Sequence, residues 1–431
     1  MDASESRTEE RETAPETPRR RGWRRWAMDT RPLRRPAYRR LWSSTIVTAV
    51  GSQLTAVAVP KQIYDITGSS AWVGAASMAG LVPLIVFALW GGAIADTMDR
   101  RRLLLITNCG IALTSLLFWL QALAGLESVA ALMVLLAMQQ AFWGLNAPAR
   151  SASIARLVPE DELPAANALG STVMQTGQVA GPLLAGALIP VVGLPELYLI
   201  DALALCVTVW AVYRLPALPP LSGTTARRRA GLREIAAGFR YIAGHTVLLL
   251  SFLADIVAMV FGMPRALFPQ LAAQTFAPWG EGLALGLLFA AIPVGAVLGG
   301  LFSGTFSRAR WHGWMVIGAV VAWGAAVTGF GLSRSLWVAV AFLALAGVAD
   351  MVSMVFRGAI LLSAATDEMR GRMQGVFTVV VAGGPRLADV LHGTAGSAFG
   401  PRTAVAGGGL LVVAVMLVLA AAFPALRRYR V

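Results

Sequence analysis

The chain predicts an all-α membrane protein: twelve transmembrane helices arranged as two six-helix bundles related as parallel repeats. Three observations carry this. Of 431 residues, 57% are apolar and only 14% charged, whereas soluble domains hold about 25% charged residues. Apolar runs of roughly 17–25 residues, the length that crosses a bilayer, recur along most of the sequence. Finally, the loop Gly91-Gly92-Ala93-Ile94-Ala95-Asp96-Thr97-Met98-Asp99-Arg100-Arg101-Arg102 has a worn copy 208 positions later, at Gly299-Gly300 and Ser307-Arg308-Ala309-Arg310. A soluble helical core would need polar faces that these runs lack.

Taken in order, residues 1–18 are rich in Glu, Thr and Arg and cannot bury enough apolar surface to fold. Residues 19–40 interleave arginines with Trp23, Trp26 and Tyr38, which suits a segment lying on an anionic leaflet or simply anchoring the topology. Residues 1–40 therefore form a basic tail. This long polar stretch does not read as a signal peptide. Spans follow at 41–59, 73–95, 103–123, 130–149, 166–189 and 197–213, filling a first bundle over 41–213. Residues 214–245, with Pro216, Pro219, Pro220 and Arg227–Arg229, form a polar linker. A second bundle over 246–424 holds spans at 246–268, 283–305, 314–331, 337–356, 374–395 and 403–424, and a short tail covers 425–431.

The net charge of +13 invites a nucleic-acid partner, but its placement excludes one. Beyond residue 40 the arginines fall in every second loop or in the C-terminal tail. The intervening loops hold only Lys61, Arg334 and Arg402. This positive-inside asymmetry puts both termini and the linker in the cytoplasm of a multi-pass plasma-membrane protein. The two cysteines, Cys109 and Cys206, lie inside apolar runs and read as small buried hydrophobes, neither a disulfide framework nor a zinc site. No metal and no cofactor is expected.

The halves echo each other again. Arg150–Glu162 matches Arg357–Met369 in placement at an offset of 207. Parallel repeats of this kind enclose a central cavity between two bundles.

Gly92, Asp96, Arg100 and Arg101 at their spacing resemble the helix 2–3 loop motif of the major facilitator superfamily, departing at Asp99, where that family usually has glycine. The resemblance implies that Asp96 and Arg100 form a gating motif across the interface between halves, helping to hold an outward-facing state. In the fifth span, Gly177, Gly181, Pro182 and Gly186 resemble the antiporter motif of the superfamily's exporters, with Ala185 replacing a second glycine. Glycines four apart let helices approach closely and Pro182 bends the helix there; ordinary tight packing has the same signature. Pro36–Trp42, Ala58–Ile63, Leu215–Pro220, Ala237–Ile242, Pro264–Pro269, Phe289–Gly295 and Gly371–Gly375 resemble the enterobactin-exporter-like, or transmembrane secretion effector, branch. That likeness implies the major facilitator fold and export of a siderophore-like or other amphipathic small molecule.

Ionisable residues at membrane depth cost at least ~2.5–3.5 kcal/mol each, so every one needs a partner or a task. Arg386, Asp389 and His392 stand at i, i+3 and i+6 of the eleventh span, a spacing that lets Arg386 pair with Asp389. Gly383-Gly384-Pro385 just before them can break the helix. Two roles are open: proton or cargo exchange at Asp389 with His392 as relay, or a structural ion pair. Asp255 and Arg265 lie on the seventh span about 15 Å apart and must each find another helix. Arg265 could meet an anionic substrate or reach the interface. Asp350 is expected too far from Arg357 for contact, leaving Arg386 as its partner, while Glu196 and Asp201 read as solvated residues near the end of the sixth span. Gln53, Gln62, Asn108, Gln139, Gln140, Asn146, Gln175 and Gln178 should line a cavity or tie helices together. Drug–proton antiporters of the superfamily usually carry an arginine in helix 4; here Gln140 stands near that place.

A single lysine, Lys61, excludes a phosphate-binding G-x4-G-K loop, and no HExxH or GxSxG motif points to an enzyme. The expectation is a monomeric secondary exporter with a small-molecule substrate, working in the lipid bilayer by alternating access and driven by the proton gradient. Broad multidrug or macrolide efflux, and more remotely a transporter-like sensor or scramblase, are the alternatives.

Overall fold

The computed structural model describes residues 28–219, 232–306, 309–364 and 367–430, without a strand among them. The first half runs α1 (Pro36–Thr67), α2 (Ser70–Thr97), α3 (Arg100–Leu123), α4 (Val129–Leu157), α5 (Leu163–Val192) and α6 (Leu194–Tyr213). The linker carries α7 (Leu232–Gly244). The second half runs α8 (Thr246–Gly262), α9 (Phe268–Gln274), α10 (Glu281–Leu301), α11 (His312–Leu332), α12 (Leu336–Ala364), α13 (Asp367–Phe399), α14 (Pro401–Ala422) and α15 (Pro424–Arg427). Ten helical stretches are long and apolar enough to cross a membrane. Two more, α1 and α13, are diluted by Ser, Thr and Gln in one and by Arg386, Asp389 and His392 in the other, and they complete the twelve spans.

Several boundaries differ from the sequence reading for identifiable reasons. The seventh span is not continuous. It stops after Gly262, a 3-10 turn covers Arg265–Leu267, and α9 restarts with Pro269 in its first turn. Proline lacks an N–H and fixes φ, so Pro264 ends one helix and Pro269 suits the start of the next. Conversely, the break expected at Gly383-Gly384-Pro385 does not occur: α13 runs unbroken through it, and Gly384 lets α13 lie against Met259 of α8. The linker is not wholly irregular either, since α7 packs on α13 and α8. Finally, α4 continues to Leu157, which puts Arg150 and Arg156 in a helix rather than a loop. Both cysteines are exposed on the helix surfaces, not buried.

Within the first half α1 packs on α5 and α6, α3 on α4 and α6, and α2 on α4; within the second, α10 packs on α12, α11 on α12 and α14, and α8 on α13 and α14. Two large contacts join the halves, α2 with α13 and α5 with α10. These are the second span with the eleventh and the fifth with the eighth, so each contact is the repeat image of the other. The α5–α10 crossing is glycine on glycine: a Cβ on Gly186 would stand 2.5 Å from the Gly282 carbonyl and 2.8 Å from Gly286 Cα. Only residues without side chains allow backbones that near.

Every hydrogen bond or ion pair joining the halves among the described residues lies at or toward the end remote from the α2–α3 loop. Lys61 Nζ donates to Glu281 Oε1 at 2.7 Å, Ser70 Oγ to Gln270 Oε1 at 2.7 Å, and Gln274 Nε2 to the Tyr64 hydroxyl at 3.0 Å. Ser69 and Ser397 share a hydroxyl contact of 3.1 Å. The molecule is thus sealed at one end, with its central cavity beneath the seal.

Candidate functional site

The cavity has a volume of about 570 Å³. Its first-half wall presents Gln53 and Thr55 of α1, Gln139, Gln140 and Trp143 of α4, Gln178 of α5 and Asp201 of α6. Its second-half wall presents Arg265 from the broken seventh span, Phe289 of α10, and Arg386 and Asp389 of α13. The first-half wall is amide-rich and carries one carboxylate, Asp201; the second-half wall carries two cations and one carboxylate.

Arg386 and Asp389 are not paired with each other as the i, i+3 spacing suggested. Both turn to Ser77 of α2: its hydroxyl donates to Asp389 Oδ2 at 2.6 Å, and Arg386 Nη1 donates to its carbonyl at 3.3 Å. The cause is the closeness of the helices, since a Cβ on Gly74 or Gly393 would run into the facing backbone. Asp389 is 7% exposed. Arg386 and Gln140 flank the same point on α2: a Cβ on Gly80 would stand 3.1 Å from Gln140 Cγ and 3.4 Å from Arg386 Nη1. His392 is buried with its Nε2 3.0 Å from the Phe261 carbonyl, which requires the Nε2–H tautomer. It faces α8 and α14 rather than the cavity, so its expected place as a relay is not supported by its position.

The remaining second-half charges sort into two groups. Arg265 lies within electrostatic reach of Asp350, Arg386 and Asp389. Asp255 finds its partner on α12, forming a buried ion pair with Arg357, and Arg357 also stands 3.9 Å from Asp350. The expectation that Asp350 is beyond reach of Arg357 is corrected: the long guanidinium arm spans the two helical turns between them. Asp255 and Arg357 are packed away from the cavity, and their geometry is that of a brace between α8 and α12.

Sequence reasoning missed Asp201. Read as a solvated end, it is 1% exposed. Its Oδ2 accepts from Thr55 Oγ1 at 2.7 Å and Ser115 Oγ at 2.9 Å, while Gln139 Nε2 donates to Ser115 Oγ at 3.1 Å. The α6 helix begins at Leu194, with Pro195 in its first turn and Glu196 beside it, which sets Asp201 a turn deeper than expected. Proline and an acid at a helix start were the available signal. Of the other polar residues, Gln62 ties to Gln121 and Tyr198, and Asn146 to Thr107.

At the α2–α3 loop, the side chains of Gly92 and Asp96 lie outside the described residues. Asp99 is described, and it organises the turn: its Oδ1 accepts from Arg102 N–H at 3.1 Å as the α3 N-cap, and its Oδ2 accepts from Leu218 N–H at 2.9 Å. Arg100 N–H returns a bond to the Leu218 carbonyl at 3.1 Å and its Nη1 reaches the Ala152 carbonyl at 3.3 Å. Arg101 donates to the Tyr213 carbonyl at 2.5 Å and lies over its ring. The loop thus holds the start of the linker. In the worn copy, Ser307 and Arg308 lie outside the described residues. The fifth-span motif divides its work: Gly177 and Gly181 admit Ala49 and Gln53 of α1, Gly186 meets α10, and Pro182 lines the cavity.

Two six-helix repeats around a central cavity with charged and amide walls define a membrane transporter of the major facilitator kind. Solved structures share that fold. The chain superposes on the nucleoside transporter NupG with a TM-score of 0.71 at 14% identity, covering 91% of this chain and 100% of that one. It superposes on a D-xylose–proton symporter with 0.69 at 12% identity, covering 91% and 99%. The family model described as transmembrane secretion effector matches residues 27–429, and the chain belongs to that family. Among its relatives are the enterobactin exporter EntS of Shigella boydii serotype 18, 30% identical over 401 residues (92% of this chain, 94% of the relative), and that of Citrobacter koseri, 29% identical over the same shares. The protein is a transporter, not an enzyme.

Proposed function

We propose that this protein exports an acidic, amphipathic small molecule of the siderophore type by alternating access, driven by the proton gradient. The observation that carries the substrate class is the charge of the second-half wall: Arg265 and Arg386 face the cavity there against one carboxylate, Asp389. Two guanidiniums suit a catecholate or carboxylate cargo, and the glutamines opposite suit its hydroxyl and amide groups. By the positive-inside asymmetry, the arginine-rich face, both termini and the 214–245 linker are cytoplasmic. The end fastened by Lys61–Glu281 and Ser70–Gln270 is then the closed exit, and this state is the one that loads cargo from inside. Residues 41–213 and 246–424 act as the two rocking bodies of a monomer, with Asp96 and Arg100 meeting the opposite half once the inner end closes. Asp389 is the carboxylate at which proton and cargo exchange.

Deleting the gene should raise intracellular and lower secreted siderophore; unchanged secretion would sink the substrate assignment. In inside-out vesicles, Asp389→Asn should abolish proton-dependent uptake of a catecholate such as 2,3-dihydroxybenzoate while leaving folding intact, and equal uptake would remove Asp389 from the mechanism. The apolar part of the lining, with Leu136, Met174 and Phe289, favours a second reading as a broad drug or macrolide exporter. Drug sensitivity of the deletion strain with normal siderophore secretion would select it.

A further inference from the structure

The second-half charges Asp255, Arg265, Asp350, Arg357, Arg386 and Asp389 all have oppositely charged groups in reach. Among the described residues of the first half, one fully buried carboxylate does not. Asp201 is 1% exposed, two turns into the membrane-spanning α6, and among the described residues nothing cationic stands against it. From α1 it meets Thr55 and Gly51, from α3 Ser115, and from α4, through Ser115, Gln139. None of these titrates. Its Oδ2 takes both hydroxyl donors, whereas Oδ1, directed toward Gly51, has no partner. A Cβ on Gly51 would stand 2.7 Å from that oxygen, so glycine is what leaves room for it.

A buried carboxylate without a cation is costly unless something neutralises it. Cargo is excluded by size, because so little of Asp201 is open to the cavity it borders. A metal ion is disfavoured by how the neighbours are used. Thr55 and Ser115 both point their hydroxyl hydrogens at Oδ2, and a lone pair of Ser115 is already taken by Gln139, so no set of free oxygen ligands surrounds Oδ1. A proton on Oδ1 is the addition that leaves every existing bond in place. We infer that Asp201 is a proton-loading site of the first bundle, taking onto the buried Oδ1 a proton that enters from the cavity the residue borders, and passing the change to α1 through Thr55.

The route to the exit gate is short. Thr55 lies less than two helical turns before Lys61, the α1 residue that holds Glu281 across the halves. Neutralising Asp201 weakens the hold of Oδ2 on the Thr55 hydroxyl, since bonds to a charged acceptor are roughly twice as strong as neutral ones. The segment of α1 that carries the seal is thereby loosened. The step balances simply: hydronium in the cavity gives one proton, an O–H bond forms on Oδ1, and water remains. This inference rests on the proton-coupled reading above, but its test needs no cargo.

The full chain in lipid nanodiscs should show a pH-titrating carboxylic-acid C=O infrared band with a component that persists in Asp389→Asn and is lost in Asp201→Asn. Retention of the whole band in Asp201→Asn overturns the assignment, as does removal of the band by sodium at constant pH. If Asp201→Asn does not fold, Ser115→Ala, which removes one donor from Oδ2, should shift the band; an unmoved band has the same overturning force. Spin labels at positions 126 and 334, on the exit side of the two halves in a Cys109→Ser, Cys206→Ser background, should report a pH-dependent distance change that Asp201→Asn abolishes. An undiminished change would separate Asp201 from the gate. Failure of siderophore transport alone would count against the proposed cargo and leave these readouts standing.

Discussion

The two halves descend from one pattern yet handle buried charge in opposite ways. The second half sets charge against charge: Arg357 braces Asp255 and reaches Asp350, while Arg265 stands near Arg386 and Asp389. The first half surrounds its buried carboxylate Asp201 with hydroxyls and an amide, through Thr55, Ser115 and Gln139. Ion pairs fix a geometry and resist change. Hydroxyls can rotate from donor to acceptor, so a site built from them tolerates gaining and losing a charge. The difference teaches a division of labour: a charged wall and brace in one bundle, a compliant acid in the other.

The comparison can be broken most forcefully at the brace. Arg357→Ala leaves Asp255 as an uncompensated buried charge and should cost about 3–5 kcal/mol of stability, read as a fall in the thermal unfolding temperature in detergent. Adding Asp255→Asn should restore most of it, and no restoration would show that the two do not act as a unit. In the first half, Thr55→Val removes one hydrogen bond to a charged acceptor, worth about 1.5–3 kcal/mol. If the site is compliant as described, the change should appear more in the pH dependence of the labelled-pair distance than in unfolding temperature.

The seam between the halves gives the next test. Gly186→Leu overpacks the α5–α10 crossing and should cost roughly 1–3 kcal/mol, charged against the sealed state alone. A cysteine at position 63, buried beneath the seal, should then become reactive to an impermeant thiol reagent from the exit side. Glu281→Gln should act least. Its partner Lys61 is 9% exposed by side chain but Glu281 is 38% exposed, so the loss should be about 0.2–1 kcal/mol and shrink with added salt.

Much of the fold was legible because its signals are local. Apolar runs, arginine placement and two matched offsets require no knowledge of what touches what. The partners of intramembrane charges were not legible for the opposite reason. Arg386 and Asp389 share a helical face, yet both chose Ser77 from another helix, and no spacing within α13 records that α2 would arrive so close. Asp201 was misread because the first residues of the helix, Leu194–Glu196, were assigned to a loop; that stretch decides whether a carboxylate sits in water or in the membrane. Asp99 looked like a defect in a glycine position, while its value as cap and clasp depends on Leu218, far along the chain. For the side-chain partners, the missing information was a neighbour from elsewhere in the fold.

That clasp sets a mechanical bound. With Leu218 and Pro219 held to the first half through Asp99 and Arg156, and with α7 seated on α13, the covalent tether between the two bodies is only the chain from 219 to 232. Fully extended at ~3.3–3.6 Å per residue, it reaches roughly 45 Å. Undoing the Asp99–Leu218 bond would add chain to the tether on one side only. In the rocking motion proposed above, the α2–α3 loop would set the stroke: how far the arginine-rich ends can part before the chain itself pulls them up short.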